Sequence, residues 1–372
     1  MSSIRNTTTF QKVMTSTQDS IAIRIFVISL VFHLLLQIPL NIIMPQPYYS
    51  QKSMGDADSY YTLSENPVPQ QADLSPNKYR RILLPMLVYV FFGWNRYIGF
   101  LLVDVIAVSA AAVLFYQIAR RYTQHPLELT VLFAATPYVF ASAHLGYTEP
   151  LMVVFLLAGY YVLMFQERVW QATGWLALAT LSKEIALFPI LAMVVLYAVS
   201  KGPRTAWPLV FAPIPAAVYY LAMGLHWHDP LFMLRPSTEV EQSNLGSTFA
   251  EIARLFTTAN QQNYVPGWFL ILNQVLNVLF FLMVGFLLYS LRTNRTAFWF
   301  TAISGVPLLS LGWAVVFLNW HVGRQALIIP LCLLGLDTII PKIKPYLTPI
   351  LMLMFAWSIF QSLYWARFFW AH

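Results

Sequence analysis

Near-continuous apolar runs of about twenty residues recur along the chain, and they constrain its fold more than any other feature. A run of that length crosses a hydrocarbon core of about 30 Å as an α-helix. The runs lack the two-residue alternation of lipid-facing strands, so they predict helices. The expected spans are 21–44, 97–119, 128–144, 149–166, 170–182, 185–200, 206–224, 267–290, 296–318, 323–340 and 346–366.

Composition supports the same class. Of the 372 residues, 58% are hydrophobic and 10% are charged, against about 25% charged in soluble domains. The net charge of +7 comes from basic residues scattered between the spans, which indicates membrane topology and argues against nucleic-acid binding. The single cysteine, Cys332, lies in an apolar run and excludes an intrachain disulfide framework.

The predicted fold is therefore an all-α polytopic membrane protein of about eleven spans, forming one transmembrane domain over 1–372. A cytoplasmic tail covers 1–20, and long outer loops cover 45–96 and 225–266. Within the first loop, the apolar segment 82–93 is too short to span and predicts an interfacial helix. Three of the expected spans are short, so one pair of them could instead be re-entrant: 128–144, 170–182 and 185–200.

Orientation follows from the basic residues in the loops. With the N-terminus inside, the inner face receives twelve basic residues and only three acids, Asp19, Glu128 and Glu167. The twelve are Arg5, Lys12, Arg24, Arg120, Arg121, Arg168, Lys201, Arg204, Arg292, Arg295, Lys342 and Lys344. Every short loop on that side carries Lys or Arg, which is the positive-inside pattern.

Two motifs in the first outer loop could carry chemistry. Asp56 and Asp58 form an Asp-x-Asp pair that could share a cation or supply a general base, although an ordinary solvated loop is the better explanation of an isolated pair. Arg80 and Arg81 close the same loop, where they could grip a phosphate or anchor to lipid headgroups.

Three further polar turns fall on the same predicted face. His144 and Glu149 flank one outward turn, where Glu149 could simply cap the following helix. Lys183 and Glu184 form the second turn, as cavity lining or as a structural pair. The third turn carries His321 and Arg324, a possible donor and a second candidate phosphate clamp.

Together these groups predict one hydrophilic cavity that opens outward, because ionisable residues are costly in lipid. A separate His-x-His-Asp sequence, His226, His228 and Asp229, has the residue types of a metal site, but its spacing is weak evidence.

The order of the motifs resembles the membrane-embedded GT-C glycosyltransferases that use polyprenyl-phosphate sugars, including bacterial relatives of GPI mannosyltransferases. The resemblance lies in an Asp-Ala-x-x-Tyr stretch (Asp56, Ala57, Tyr60), a Tyr-Arg-x-Leu-x-Pro-like element at 79–85, the Tyr-Thr-Glu turn at 147–149, the Ser-Lys-Glu turn at 182–184 and the late Gly-Arg at 323–324. It covers 50–190 well and the rest mainly by topology. The chain has Lys183 where the family usually has arginine, and its two adjacent arginines, Arg80 and Arg81, leave open which one fills the family position.

The resemblance implies an inverting transfer of a hexose such as mannose from a lipid-phosphate donor to a glycan, lipid or protein acceptor. Asp56 is then the first choice for the catalytic base and Asp58 the second, with a magnesium or manganese ion possible at the same pair. The expected donor-phosphate ligands are Arg80, Arg81, Lys183, His321 and Arg324, and the expected sugar or acceptor contacts are Tyr60, His144, Glu149 and Glu184. The active site would face outward from a bacterial plasma membrane.

The alternative is a transporter or flippase for an anionic lipid-linked or sugar substrate, which would place polar groups at the bilayer midplane on broken, repeated helices.

Overall fold

The computed structural model describes residues 20–36, 38, 56–72, 74–121, 124–135 and 146–235, together with Pro349 and Met352. Within these ranges all regular secondary structure is helical. The α-helices are α1 (Ser20–Leu36), α2 (Asp56–Glu65), α3 (Pro76–Tyr79), α4 (Leu83–Phe92), α5 (Arg96–Ala119), α6 (Pro126–Ala135), α7 (Glu149–Gln166), α8 (Val169–Ser182), α9 (Leu187–Lys201), α10 (Pro203–Ala206) and α11 (Ile214–His226). Short 3₁₀ turns occupy Glu184–Ala186, Trp207–Phe211 and Phe232–Leu234.

Four helical segments in this part of the chain are long and apolar enough to cross a membrane. They are Arg96–Ala119, Glu149–Gln166, Glu184–Lys201 and Pro203–His226, and they match the expected spans 97–119, 149–166, 185–200 and 206–224. The expectation of an all-α fold is thus confirmed for the described residues, and the four apolar helices suggest an integral membrane protein. The spans expected from 267 onward, apart from Pro349 and Met352, and most of 128–144 lie outside the described residues, so the total of eleven stays a prediction.

The core forms where α5, α7 and α8 pack against one another. Gly159 of α7 lets Leu176 of α8 come so close that an added Cβ would lie 2.6 Å from its Cδ2. Phe115 of α5 stacks on Phe133 of α6 with ring centroids 4.8 Å apart. The close contact between α7 and α8 requires a small residue such as Gly159, as is usual for helix pairs in membranes.

The expected span 206–224 is not one regular helix. It consists of α10, a 3₁₀ turn and α11, with Pro208 inside the turn and Pro213 at the N-cap of α11. Proline lacks the backbone N–H that an α-helix needs, which accounts for the breaks.

The first outer loop also differs from expectation, because the Asp-x-Asp pair lies on the first turn of helix α2 and not in irregular loop structure. Acidic residues at a helix N-terminus are stabilised by the helix dipole. Tyr60 and Leu63 of this helix are fully buried, at 0% and 1% exposure, so α2 is fastened to the rest of the fold.

The short helix expected at 82–93 is present as α4. Leu84, Pro85 and Val88 are buried, whereas Tyr89, Val90 and Phe91 are exposed. This helix thus buries one side and exposes three large apolar side chains, as a helix lying at a membrane interface would. Its depth in a bilayer stays a prediction.

Helices α7, α8 and α9 run in alternating directions, so the polar residues at their termini lie at two opposite ends of the bundle. At one end, Lys183, which follows α8, pairs with Glu149 at the start of α7. At the other, Lys201 at the end of α9 pairs with Glu167 just after α7, at 2.6 Å, and the Arg121 guanidinium lies 5.7 Å from the Phe165 ring. We call the first the α2 end and the second the α10 end.

Candidate functional site

Arg81 occupies the centre of the polar cluster at the α2 end. Its Nε and Nη2 donate hydrogen bonds to the two carboxylate oxygens of Glu184, at 3.2 and 2.9 Å. Its Nη1 donates to the Tyr60 hydroxyl at 2.9 Å. A two-point contact of this kind fixes the plane of the guanidinium as well as its position. The structure thereby joins the first outer loop to the turn between α8 and α9.

Lys183 lies beside this arrangement and pairs with a different acid. Its ammonium group contacts the Glu149 carboxylate, and the exposures of the two side chains are only 4% and 0%. The backbone of Lys183 is extended, with φ −161° and ψ 134°, and successive side chains along extended backbone point to opposite sides. Lys183 and Glu184 therefore do not pair with each other but connect to α7 and to Arg81, respectively.

A third carboxylate lies within the same buried region. Asp104 of α5 is completely buried, and neither of its oxygens has a hydrogen-bond partner among the described residues. Asp104 lies near enough to Glu149 for two negative charges at these positions to repel each other. The Thr148 hydroxyl, also fully buried, likewise finds no partner in the described part of the chain. Among the described residues, this buried region thus contains two acidic side chains, Asp104 and Glu149, beside the ammonium group of Lys183.

Helix α2 contacts Arg81 through Tyr60. Positions 56 and 60 are one helical turn apart and share a face, whereas position 58 is two residues from each and points elsewhere. Asp58 is half-buried, and its carbonyl accepts a hydrogen bond from Thr62 Oγ1 at 3.1 Å. The face of α2 that contacts Arg81 is therefore the face of position 56.

Arg80 has a different environment from Arg81. Its Nε and Nη2 donate to the backbone carbonyls of Met233 and Arg235, at 2.5 and 2.6 Å. These contacts hold the segment between α2 and α4 against the segment that follows α11. The two adjacent arginines thus have different partners: Arg80 donates hydrogen bonds to backbone carbonyls, and Arg81 donates to side chains.

A small apolar cluster supports this junction of the two loops. Tyr79 is 1% exposed and packs on Trp227 with ring centroids 4.6 Å apart. The Trp227 Nε1 in turn donates to the Pro69 carbonyl at 2.9 Å. Leu63, Met223 and Met233 complete the buried set. Because α2, α3 and α11 meet here, the described segments at the α2 end form one packed unit.

The possible metal ligands after α11 have other partners. His226 Nε2 lies 3.2 Å from the Pro69 carbonyl, and Asp229 pairs with Arg235 at 2.6 Å. In the described residues no group of three or more His, Cys, Asp or Glu side chains has the arrangement of a metal site.

Several expected site residues lie outside the described ranges, namely His144, His321 and Arg324. Of the rest, the structure brings together Tyr60, Arg81 and Glu184, and places Lys183 on Glu149. Glu149 is the first residue of α7, whose N-cap is Thr148, so its charge lies at the favourable end of the helix dipole. Sequence reasoning did not include Asp104 in the site; its signal was an acid inside an apolar run, but its nearness to Glu149 depends on how α5 and α7 pack.

Comparison of the chain with protein-family models, with curated proteins and with solved structures finds no match. The resemblance to GT-C glycosyltransferases thus stays a prediction that rests on the motifs of the sequence.

Proposed function

We propose that the protein is an inverting glycosyltransferase that moves a sugar from a polyprenyl-phosphate donor to an acceptor at the α2 end, with that end facing outward. The observation that carries the proposal is the contact of Arg81 with Glu184 and Tyr60. Through this contact, the guanidinium of Arg81 lies at the same end of the helix bundle as Lys183 and as helix α2, which carries the Asp-x-Asp pair. A transfer of this kind requires a carboxylate base and cations for the departing phosphate.

In the proposed reaction, Asp56 accepts the proton of the acceptor hydroxyl. The hydroxyl oxygen attacks the anomeric carbon as the bond from that carbon to the phosphate oxygen breaks, so the configuration inverts. The lipid phosphate leaves with the bonding electrons, and the positive charges of Arg81 and Lys183 stabilise it. Glu184 and Tyr60 act as positioning residues that hold the guanidinium in place.

The decisive test is sugar transfer in proteoliposomes, using a panel of labelled polyprenyl-phosphate hexoses and acceptors. Asp56→Asn should lower kcat by about 10²–10⁴-fold, the usual contribution of a general base. Asp58→Asn should cost less, since position 58 lies on another face of α2. Glu65→Gln is the matched control, because Glu65 is an exposed acid on the same helix. Full activity in both aspartate variants, or retention of anomeric configuration in the product, would overturn the mechanism.

The buried charges are the observation that favours the alternative of a transporter. Asp104, Glu149 and Lys183 lie within or beside the apolar helices, and ionisable groups in such places often mark a substrate path. The same proteoliposomes distinguish the two functions. A transporter would carry the lipid-linked sugar to the other leaflet with its phosphate bond intact, whereas a transferase would release free polyprenyl phosphate.

A further inference from the structure

A shallow cleft of about 660 Å³ opens at the α10 end, opposite the proposed active site. It lies where α7 gives way to α8, against the short helix α10 that follows α9. The polar residues that line it are Glu167, Arg168, Gln171, Arg204 and Thr205. None of them takes part in the cluster around Arg81, so the cleft needs a separate explanation.

The cleft carries uncompensated positive charge. Arg168 and Arg204 are exposed, and neither forms an ion pair with an acid in the described part of the chain. Glu167, the acid among the lining residues, is neutralised by Lys201 at 2.6 Å. Two guanidinium groups therefore remain to attract an anion, and arginine suits a phosphate because its N–H groups match two oxygens at once.

Aromatic side chains adjoin this charge. Trp170 lines the cleft, and its ring meets Trp207 edge to face at 5.4 Å and stacks on Phe211 at 6.0 Å. Trp170 and Trp207 are 61% and 50% exposed. Exposed tryptophans at the end of an apolar helix bundle are typical of the membrane interface, where lipid headgroups lie. A ligand with a phosphate and an apolar part could contact the arginines with the phosphate and the aromatic side chains with the apolar part.

We infer that the cleft binds the headgroup of an anionic phospholipid. Arg168 and Arg204 would bind its phosphate, Gln171 and Thr205 would hydrogen-bond to the remaining headgroup, and the acyl chains would lie along Trp170, Trp207 and Phe211. Basic pockets between transmembrane helices hold anionic lipids in this manner. The inference does not depend on sugar transfer, because it concerns the opposite end of the bundle.

The test is native mass spectrometry of the full-length protein in non-ionic detergent, titrated with phosphatidylglycerol and, separately, with phosphatidylcholine. The wild type should bind phosphatidylglycerol more tightly. The double variant Arg168→Gln/Arg204→Gln should bind it about 30-fold more weakly, the combined effect expected for two arginines near an anionic headgroup. The charge-matched control is Arg24→Gln/Arg121→Gln, since both of these arginines are exposed and neither lines the cleft.

Three results would overturn the inference. Equal loss in the control variant would mean that only the overall charge matters. Equal affinity of the wild type for phosphatidylcholine would remove the role of the anion. Displacement of phosphatidylglycerol by excess inorganic phosphate would identify a site for free phosphate. The last two measurements use the wild type, so they decide the question even if the cleft variant does not fold.

Discussion

Arg81 is held by groups that lie 21 positions before it and 103 positions after it in the sequence, the Tyr60 hydroxyl and the Glu184 carboxylate. Arg80, one position earlier, donates to carbonyls 153 and 155 positions away. Adjacent residues of the same type thus have different roles because the turn at the end of α3 points them in different directions. At the residue scale, the proposed function assigns the phosphate to Arg81 and not to Arg80.

Replacing Arg81 should abolish most of the proposed activity without unfolding the protein. Arg81→Lys keeps the charge but loses the two-point contact with Glu184, and Arg81→Gln loses the charge as well. We expect both to lower kcat for sugar transfer by about 10²–10³-fold, the usual loss when one donor to a developing charge is removed. Arg80→Gln should instead retain kcat while lowering the thermal unfolding temperature, because it weakens contacts between the two outer segments. A variant pair with the opposite behaviour would reverse the assignment of the two arginines.

The buried pair of Lys183 and Glu149 should show strong coupling. Lys183→Met leaves a carboxylate buried without that cation, which is expected to cost about 3–5 kcal/mol. The double variant Lys183→Met/Glu149→Gln removes both charges and should recover most of that loss. Thermal unfolding of the four proteins in one detergent, at one scan rate, gives the coupling. If the double variant loses as much as the two single variants combined, the two residues do not act as a pair.

At the element scale, the length of an apolar run in the sequence predicts a helix well. Helices made mainly of polar residues are predicted poorly. The bounds of α7 match the expected 149–166, and α5 begins one residue before the expected 97. Helix α2 was missed because most of its ten residues are polar, whereas Tyr60 and Leu63, which it buries against other segments, are too few to form an apolar run. The same limit applies to Arg81 and Glu184, since no spacing rule relates residues on different helices. The five polar motifs could be listed from sequence, but their pairing could not.

The contact between α7 and α8 offers a test at this scale. A methyl group added at Gly159 would lie 2.6 and 2.8 Å from Leu176 Cδ2 and Cγ, and Leu176 is fully buried and has little room to move. Gly159→Ala should therefore destabilise the protein by about 1–3 kcal/mol through overpacking. Gly174→Ala on α8 is the matched control, since nothing lies within 4 Å of the added group. Alanine is the better helix former, so this variant should be unchanged or more stable by about 0.5–1 kcal/mol. Similar unfolding temperatures for the two variants would contradict the close packing of α7 on α8.

At the scale of the whole molecule, the two ends of the bundle differ in kind. The α2 end combines acids and bases in short-range pairs, including Arg81 with Glu184 and Lys183 with Glu149. The α10 end carries arginines without acid partners among the described residues, such as Arg168 and Arg204, which is what the positive-inside pattern expects of a cytoplasmic face. One end is thus suited to chemistry on a polar substrate and the other to contact with anionic lipid. Both assignments require that the α2 end faces outward and the α10 end faces the cytoplasm, and this orientation can be measured directly.

Labelling of single cysteines from one side of the membrane tests that orientation. In a Cys332→Ser background, Gln70→Cys introduces a thiol at an exposed position between α2 and α3, and Gln124→Cys introduces one at an exposed position between α5 and α6. A membrane-impermeant maleimide applied to intact cells should label position 70 at once and position 124 only after permeabilisation, because α5 crosses the bilayer between them. Equal labelling of both positions in intact cells would mean that α5 does not separate two faces. Labelling of position 124 alone would place the α2 end in the cytoplasm, where the proposed site would have to draw on a donor in the inner leaflet.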